Sequence, residues 1–149
     1  MDEIARGIYR WSAFRDTIDS DVNSYYVEPA ATVLDPMLPP DGLDWFAGRN
    51  VDRVVLTNRH HYRDSDRFHD RFGIPVLVVE QGLHEVEGKP GVQSFAFGEE
   101  VVPSITAHAI DPSWPDEGAL RTSPSAPACW PSPTARSATA TTCTSCPTI

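Results

Sequence analysis

Apolar and polar positions along the first 107 residues form short runs, which is typical of β-strands rather than of long helices. Three such runs come first, separated by polar or proline-containing turns, and they predict an antiparallel meander. They are Ile8–Trp11, Val22–Val27 and Ala31–Leu34. No self-similarity recurs at a period of about 20 to 50 residues, which argues against solenoids and propellers.

Two short helices are predicted further along the chain. Apolar positions within 43–46 share one helix face, and Asp41 is placed to cap it. Ser65 is the predicted N-cap of a second helix that runs through Phe72, with Gly73 closing it.

Between these helices, Val51–Thr57 is predicted to be a buried strand, because Val54, Val55 and Leu56 are continuously apolar. Further strands are predicted over 75–79, 92–97 and 101–107. The chain is therefore predicted to be β-rich, with helices inserted between strands.

The segment after the buried strand has the densest chemistry in the chain. His60, His61, Asp64 and His69 fall within about ten residues, a set of side chains that suits a divalent metal. Loops that leave the carboxyl ends of strands commonly hold ligands and catalytic groups. A solvated polar loop is the simpler interpretation of the same residues.

The order of elements and this loop together resemble the metallo-β-lactamase superfamily over residues 6–120. Its hallmark is a buried strand followed by Thr-His-x-His-x-Asp-His and a helix. The positions that carry the resemblance are Asn23–Tyr25, Val33–Pro36, Val54–Thr57 and Gly73–Val76. The resemblance implies an α+β fold, namely an αββα sandwich, of which this chain has mostly the N-terminal half. It also implies metal-dependent hydrolysis of an ester, thioester, lactam or phosphodiester.

The motif is degenerate in this chain, because Asn58, Tyr62 and Arg63 stand where the family has His, Asp and His, and His60 alone matches. Neutral Asn, a phenol with a pKa of about 10 and a permanent cation are poor replacements for these ligands. Asp116 stands where a later family turn supplies another ligand His. A dinuclear site in the family register is therefore not expected.

Two interpretations of the loop stay open. In the first, His60, His61 and Asp64 bind one zinc, manganese or iron ion, with Asp116 or His108 as a further ligand. Asp64 then binds the metal or orients the attacking water, and Arg63 stabilises developing negative charge. In the second, no metal is bound, and Arg59, Arg63 and His60 bind an anionic small molecule without turnover. Asp35 is predicted to order a turn.

Charge excludes one class of partner. All 21 acidic residues lie at or before Glu117, and 11 of the 12 basic residues lie within residues 1–121, because Arg136 alone comes later. Residues 1–121 therefore carry a formal charge of −10. Nucleic acid is not an expected partner, since binding to phosphates needs clustered Lys and Arg.

No apolar run approaches the roughly 20 residues that span a bilayer, so no membrane association is expected. No export signal is visible, and we expect a cytoplasmic protein.

The composition changes abruptly after Arg121. Residues 122–149 are rich in Ser, Thr, Pro and Ala, carry Arg136 as their one charge, and contain all three cysteines, with a lone CxxC at Cys143 and Cys146. This composition predicts disorder. A frameshift is the sharper hypothesis, and it makes residues 1–121 an incomplete domain. An unstable product that self-associates through an uncovered sheet, with no function of its own, would then follow.

Overall fold

A computed structural model describes residues 1–102, 105–111 and 113–122. The strands are β1 (Asp2–Ala5), β2 (Ile8–Arg15), β3 (Ser20–Val27), β4 (Thr32–Leu34), β5 (Arg53–Val55), β6 (Val76–Val79), β7 (Val92–Phe95), β8 (Glu100–Val102), β9 (Ile105–Asp111) and β10 (Trp114–Thr122). Helix α1 spans Ser65–Phe72, and 3-10 helices span Asp16–Ile18, Glu28–Ala30, Leu43–Phe46, Arg59–His61 and Glu80–Glu85. Within these described ranges, no helix is both long and apolar enough to cross a membrane.

The strands form two sheets. The first has the order β1 to β7, with antiparallel pairing from β1 to β4 and parallel pairing from β4 to β7. The second is an antiparallel sheet of β8, β9 and β10. The predicted meander is thus confirmed, and so is the predicted α+β class.

Alternate residues of the parallel strands face two different cores. Val33, Val54 and Val76 lie side by side in register on one face, where they pack with Phe46 and Phe68 of the helical segments. All five side chains are fully buried or nearly so. This core accounts for the apolar side chain of Val54 on one face of β5.

The opposite face packs against the second sheet. Val55 and Val79 contact a cluster that includes Val101 and Ala107. The second sheet therefore covers the first sheet around its parallel strands. On β2, Phe14 remains 54% exposed, and self-association through such uncovered surface stays a prediction.

Several predicted boundaries are wrong by a few residues. The N-cap of α1 is Asp64, and Ser65 is its first residue, whereas Gly73 closes the helix in the left-handed conformation as predicted. The segment 43–46 is a 3-10 helix whose N-cap is Gly42, not Asp41, and no side chain caps it.

Strand ends also differ from the prediction. The predicted strand over 101–107 is divided between β8 and β9, and β10 was not predicted. The buried strand extends only over Arg53–Val55.

The predictions for the tail concern residues 122–149, and of these the structure describes Thr122 only. Disorder, the CxxC pair and the frameshift therefore all concern residues outside the described ranges.

Candidate functional site

The loop after β5 begins with a capped 3-10 turn. The Asn58 side chain accepts a hydrogen bond of 2.8 Å from the His60 backbone N–H and so caps the helix Arg59–His61. This is the usual role of Asn at a helix N-terminus. Asn58, which stands where the family motif has its first His, therefore has a local structural role.

Asp35 lies at the centre of this region, although the sequence predicted only a turn for it. Its Oδ1 accepts from the Thr57 backbone N–H at 2.8 Å, and its Oδ2 lies 3.1 Å from Nδ1 of His61. The Thr57 hydroxyl donates to the same Oδ2. Because β4 and β5 are parallel neighbours, their carboxyl ends lie together, and Asp35 is thereby placed against the Thr57–His61 segment.

Arg63 is held beneath the loop by backbone carbonyls. Its Nη1 donates to the Asp35 carbonyl at 2.7 Å and to the Asn23 carbonyl at 3.0 Å. Burial lowers the pKa of Arg63, and the Asp35 carboxylate partly opposes this shift. Asp35 and Arg63 both have positive φ, 48° and 44°, which is uncommon outside glycine and often marks functional sites.

Asp64 joins the loop to the segment that follows β4. Its Oδ2 accepts from the Leu38 backbone N–H at 2.7 Å, and its own N–H donates to the Pro36 carbonyl at 3.1 Å. These contacts give Asp64 a role in positioning the loop. Its predicted catalytic role stays a prediction.

A bulge in β10 closes the other side of the loop. Nη1 of Arg59 donates to Oδ1 of Asp116 at 2.7 Å, and the Asp116 side chain is only 2% exposed. Nδ2 of Asn58 donates to Oε1 of Glu117 at 3.2 Å. A backbone bond of 2.9 Å from Gly118 N–H to the Thr57 carbonyl completes the contact. The structure thus brings the loop and the 114–117 bend together, as the resemblance implied.

A cleft of about 290 Å³ opens beside the loop, and we call it the cationic cleft. Its lining has four basic residues, one acidic residue, a histidine and a tyrosine. These are Arg15, Arg59, Arg63, Lys89, Glu85, His60 and Tyr62. All three residues predicted for an anion site, Arg59, Arg63 and His60, line it. Arg15, Glu85 and Lys89 come from distant segments, and no pattern in the sequence pointed to them.

Structural comparison decides the fold. The chain is similar to a structure described as the first B3 metallo-β-lactamase with an active-site glutamic acid (TM-score 0.51, 15% identity, 66% of this chain and 49% of that chain). It is also similar to the metallo-β-lactamase IND-7 (TM-score 0.52, 16% identity, 77% and 61%). This chain has the metallo-β-lactamase fold.

A third similar structure with a different activity is rubredoxin oxygen:oxidoreductase from the anaerobe Desulfovibrio gigas (TM-score 0.61, 16% identity, 81% of this chain and 38% of that chain). The chain spans 38% to 61% of the length of these three structures. No protein-family model matches it, and no match was found among curated proteins. The metallo-β-lactamase fold that the sequence resemblance implied is thus confirmed.

The residues at the motif positions do not fit the metal centre that this metallo-β-lactamase fold implies. Tyr62 is buried in the main core, and its hydroxyl donates to the Pro90 carbonyl at 3.2 Å. Burial raises the pKa of Tyr62, and the Asp66 and Asp70 carboxylates raise it further, so the phenolate form that a metal would need is disfavoured. Arg63 brings a permanent positive charge to the same loop.

The predicted mononuclear set is not brought together either. Among the described residues, no group of three or more His, Cys, Asp or Glu side chains is arranged to hold a metal ion. Asp116 is paired with Arg59, His61 faces Asp35, and His60 lies on the cationic cleft. Metal binding by His60, His61 and Asp116 therefore stays a prediction without support from the geometry.

Proposed function

We propose that this protein binds a small anion in the cationic cleft without a metal ion. The observation that carries the proposal is a concentration of positive charge. Four of the 12 basic residues of the chain line the cleft, against one of its 21 acidic residues, in a protein with a formal charge of −9. A local reversal of the overall charge is the pattern expected of a site for an anion.

The cationic side chains keep donors for a ligand. A guanidinium has five N–H groups, and Arg15 uses one of them in a bond of 3.3 Å to the His60 carbonyl. The Lys89 ammonium lies 4.4 Å from the centre of the Tyr62 ring, and this contact directs at most one of its three N–H donors at the ring. These donors suit the oxygens of phosphate, sulfate or carboxylate.

The same charges oppose a divalent cation. At an effective dielectric constant of 20, two unit charges 4 Å apart interact by about 4 kcal/mol, and a divalent partner doubles this repulsion. Metal-dependent hydrolysis of an ester, thioester, lactam or phosphodiester remains the alternative, motivated by the metallo-β-lactamases among the similar structures. The side chains at the motif positions, Asn58, Tyr62 and Arg63, do not favour a metal centre.

The test is thermal melting of the full chain in increasing sodium phosphate at constant ionic strength. A ligand that binds only the folded state raises the melting temperature with concentration. We expect this rise in the original protein and a weaker rise in Arg15→Gln. The matched control is Arg10→Gln, because Arg10 lies on the same strand but outside the cleft lining.

Three outcomes would contradict the proposal. One is the absence of any phosphate effect, and the second is an equal loss of the effect in Arg10→Gln and Arg15→Gln. The third is stoichiometric zinc, manganese or iron in the purified protein, together with a loss of stability in chelator, which would support the metallohydrolase alternative. The remaining alternative, an unstable product without function, predicts no cooperative melting at all.

A further inference from the structure

We propose that the anion is a small phosphate monoester that carries a hydroxyl group, and that Glu85 binds this hydroxyl. The inference rests on the proposed function, because it assigns the ligand of the same cationic cleft. It adds a specificity residue and a chemical class of ligand.

The charge of the lining favours a phosphate monoester over a monocarboxylate. Arg15, Arg59, Arg63 and Lys89 exceed Glu85 and Asp116, the partner of Arg59, by two formal positive charges. A phosphate monoester carries about −1.5 to −2 at pH 7, whereas a carboxylate carries a single negative charge. The more highly charged ligand therefore matches this lining better.

The size of the cleft limits the rest of the ligand. Its volume of about 290 Å³ is at the lower end of the range for sites that hold small molecules. One phosphate with a few further atoms fits this range. The cleft is also open to solvent on the side of Glu85, whose side chain is 45% exposed.

Glu85 is not needed as a counter-ion for Arg59. Asp116 already pairs with Arg59 at 2.7 Å, whereas Oε1 of Glu85 lies 3.9 Å from Nε of Arg59. Its second ion-pair contact in the described part of the chain, to Nε2 of His84, is 3.7 Å long. Both distances exceed that of a hydrogen bond, so the carboxylate can accept one from a ligand.

The fold itself places Glu85 at the cleft. The 3-10 helix Glu80–Glu85 approaches the loop so closely that a Cβ added at Gly82 would lie 2.9 Å from Cβ of Arg59. A side chain at position 82 would hold the two segments apart. Because the segments are in contact, Glu85 lies beside the guanidinium groups that would bind the phosphate.

The experiment compares two ligands that differ in hydroxyl groups. Methyl phosphate and glycerol 3-phosphate carry the same anionic group, and their affinities are measured by isothermal titration calorimetry on the full chain. A hydrogen bond to a charged acceptor predicts that glycerol 3-phosphate binds about tenfold more tightly. In Glu85→Ala we expect this preference to fall to nearly one, while methyl phosphate still binds.

Glu87→Ala is the matched control, because Glu87 is an exposed acid two residues away and is absent from the cleft lining. It should keep the preference. Equal affinity for the two ligands in the original protein, or a preference that survives in Glu85→Ala, would overturn the role of Glu85 and leave the anion site standing. Failure of both ligands and of inorganic phosphate to bind would overturn the anion site as well.

Discussion

Arg59 and Asp116 form a short ion pair between residues that are far apart in the sequence. Their Nη1 and Oδ1 atoms are 2.7 Å apart, and the two residues are separated by 57 positions. The Asp116 side chain is nearly inaccessible, while that of Arg59 is 25% exposed and also lines the cationic cleft. The pair therefore joins the second sheet to the loop that forms the site.

The Arg59–Asp116 pair should contribute to stability. Asp116→Asn removes the buried charge that neutralises Arg59, and we expect the free energy of unfolding to fall by about 2 kcal/mol, since Arg59 keeps partial access to water. Urea denaturation measures this change. Asp41→Asn, an exposed site with the same change of charge, should have almost no effect. Equal effects in the two variants would mean that the pair does not stabilise the fold.

Asp35 should be a second stabilising residue of the site. Asp35→Asn keeps a side chain that tolerates the left-handed backbone but weakens the contacts to Thr57 and His61, and we expect a loss of about 1 to 3 kcal/mol. Asp19→Asn is the matched control, because Asp19 is exposed and has a similar φ of 50°. Chemical denaturation of both variants gives the comparison. A loss of the same size in Asp19→Asn would contradict the role of the Asp35 contacts.

The sequence predicted the parts of the fold that depend on local patterns. The apolar run at Val54–Leu56 indicated the buried strand, and Gly73 indicated the end of α1, because both signals depend only on near neighbours. Strand and helix ends were less accurate. Asp64 rather than Ser65 is the N-cap of α1, since both residue types are common caps and the choice depends on the tertiary contacts of Asp64.

The site was harder to predict, because its contacts are distant in sequence. The Asp35 contact to Thr57 spans 22 positions, and Arg15 reaches the His60 carbonyl across 45. Asp35 and Pro36 end the predicted strand Ala31–Leu34, and this pair was the one signal in the sequence that pointed to Asp35. Exposed residues such as Lys89 and Glu85 show no periodicity, so the sequence alone could not assign them to the cleft.

Gly82 should be essential for the contact between the 3-10 helix Glu80–Glu85 and the loop. Gly82→Ala places a methyl group within 2.9 Å of Cβ of Arg59, and we expect a loss of about 1 to 3 kcal/mol in stability and weaker phosphate binding. Urea denaturation and calorimetry measure the two effects. In an Arg59→Gly background the opposing Cβ is absent, so Gly82→Ala should lower the free energy of unfolding by less than it does in the original protein. The same cost in both backgrounds would show that the crowding involves other atoms.

Tyr26 should make stability depend on alkaline pH. Burial, followed by the charge of Glu28, raises the pKa of Tyr26 to about 12, and its hydroxyl donates to the Asn50 carbonyl at 2.6 Å. The folded state thus favours the neutral phenol. This contribution is fully present below the unfolded pKa of about 10 and is lost as the pH rises from 10 to 12. We expect the difference in unfolding free energy between the original protein and Tyr26→Phe to shrink over this range in urea denaturation. Tyr25→Phe, which retains the Tyr26 hydroxyl, should follow the original protein, and a constant difference for Tyr26→Phe from pH 8 to 11 would contradict the raised pKa.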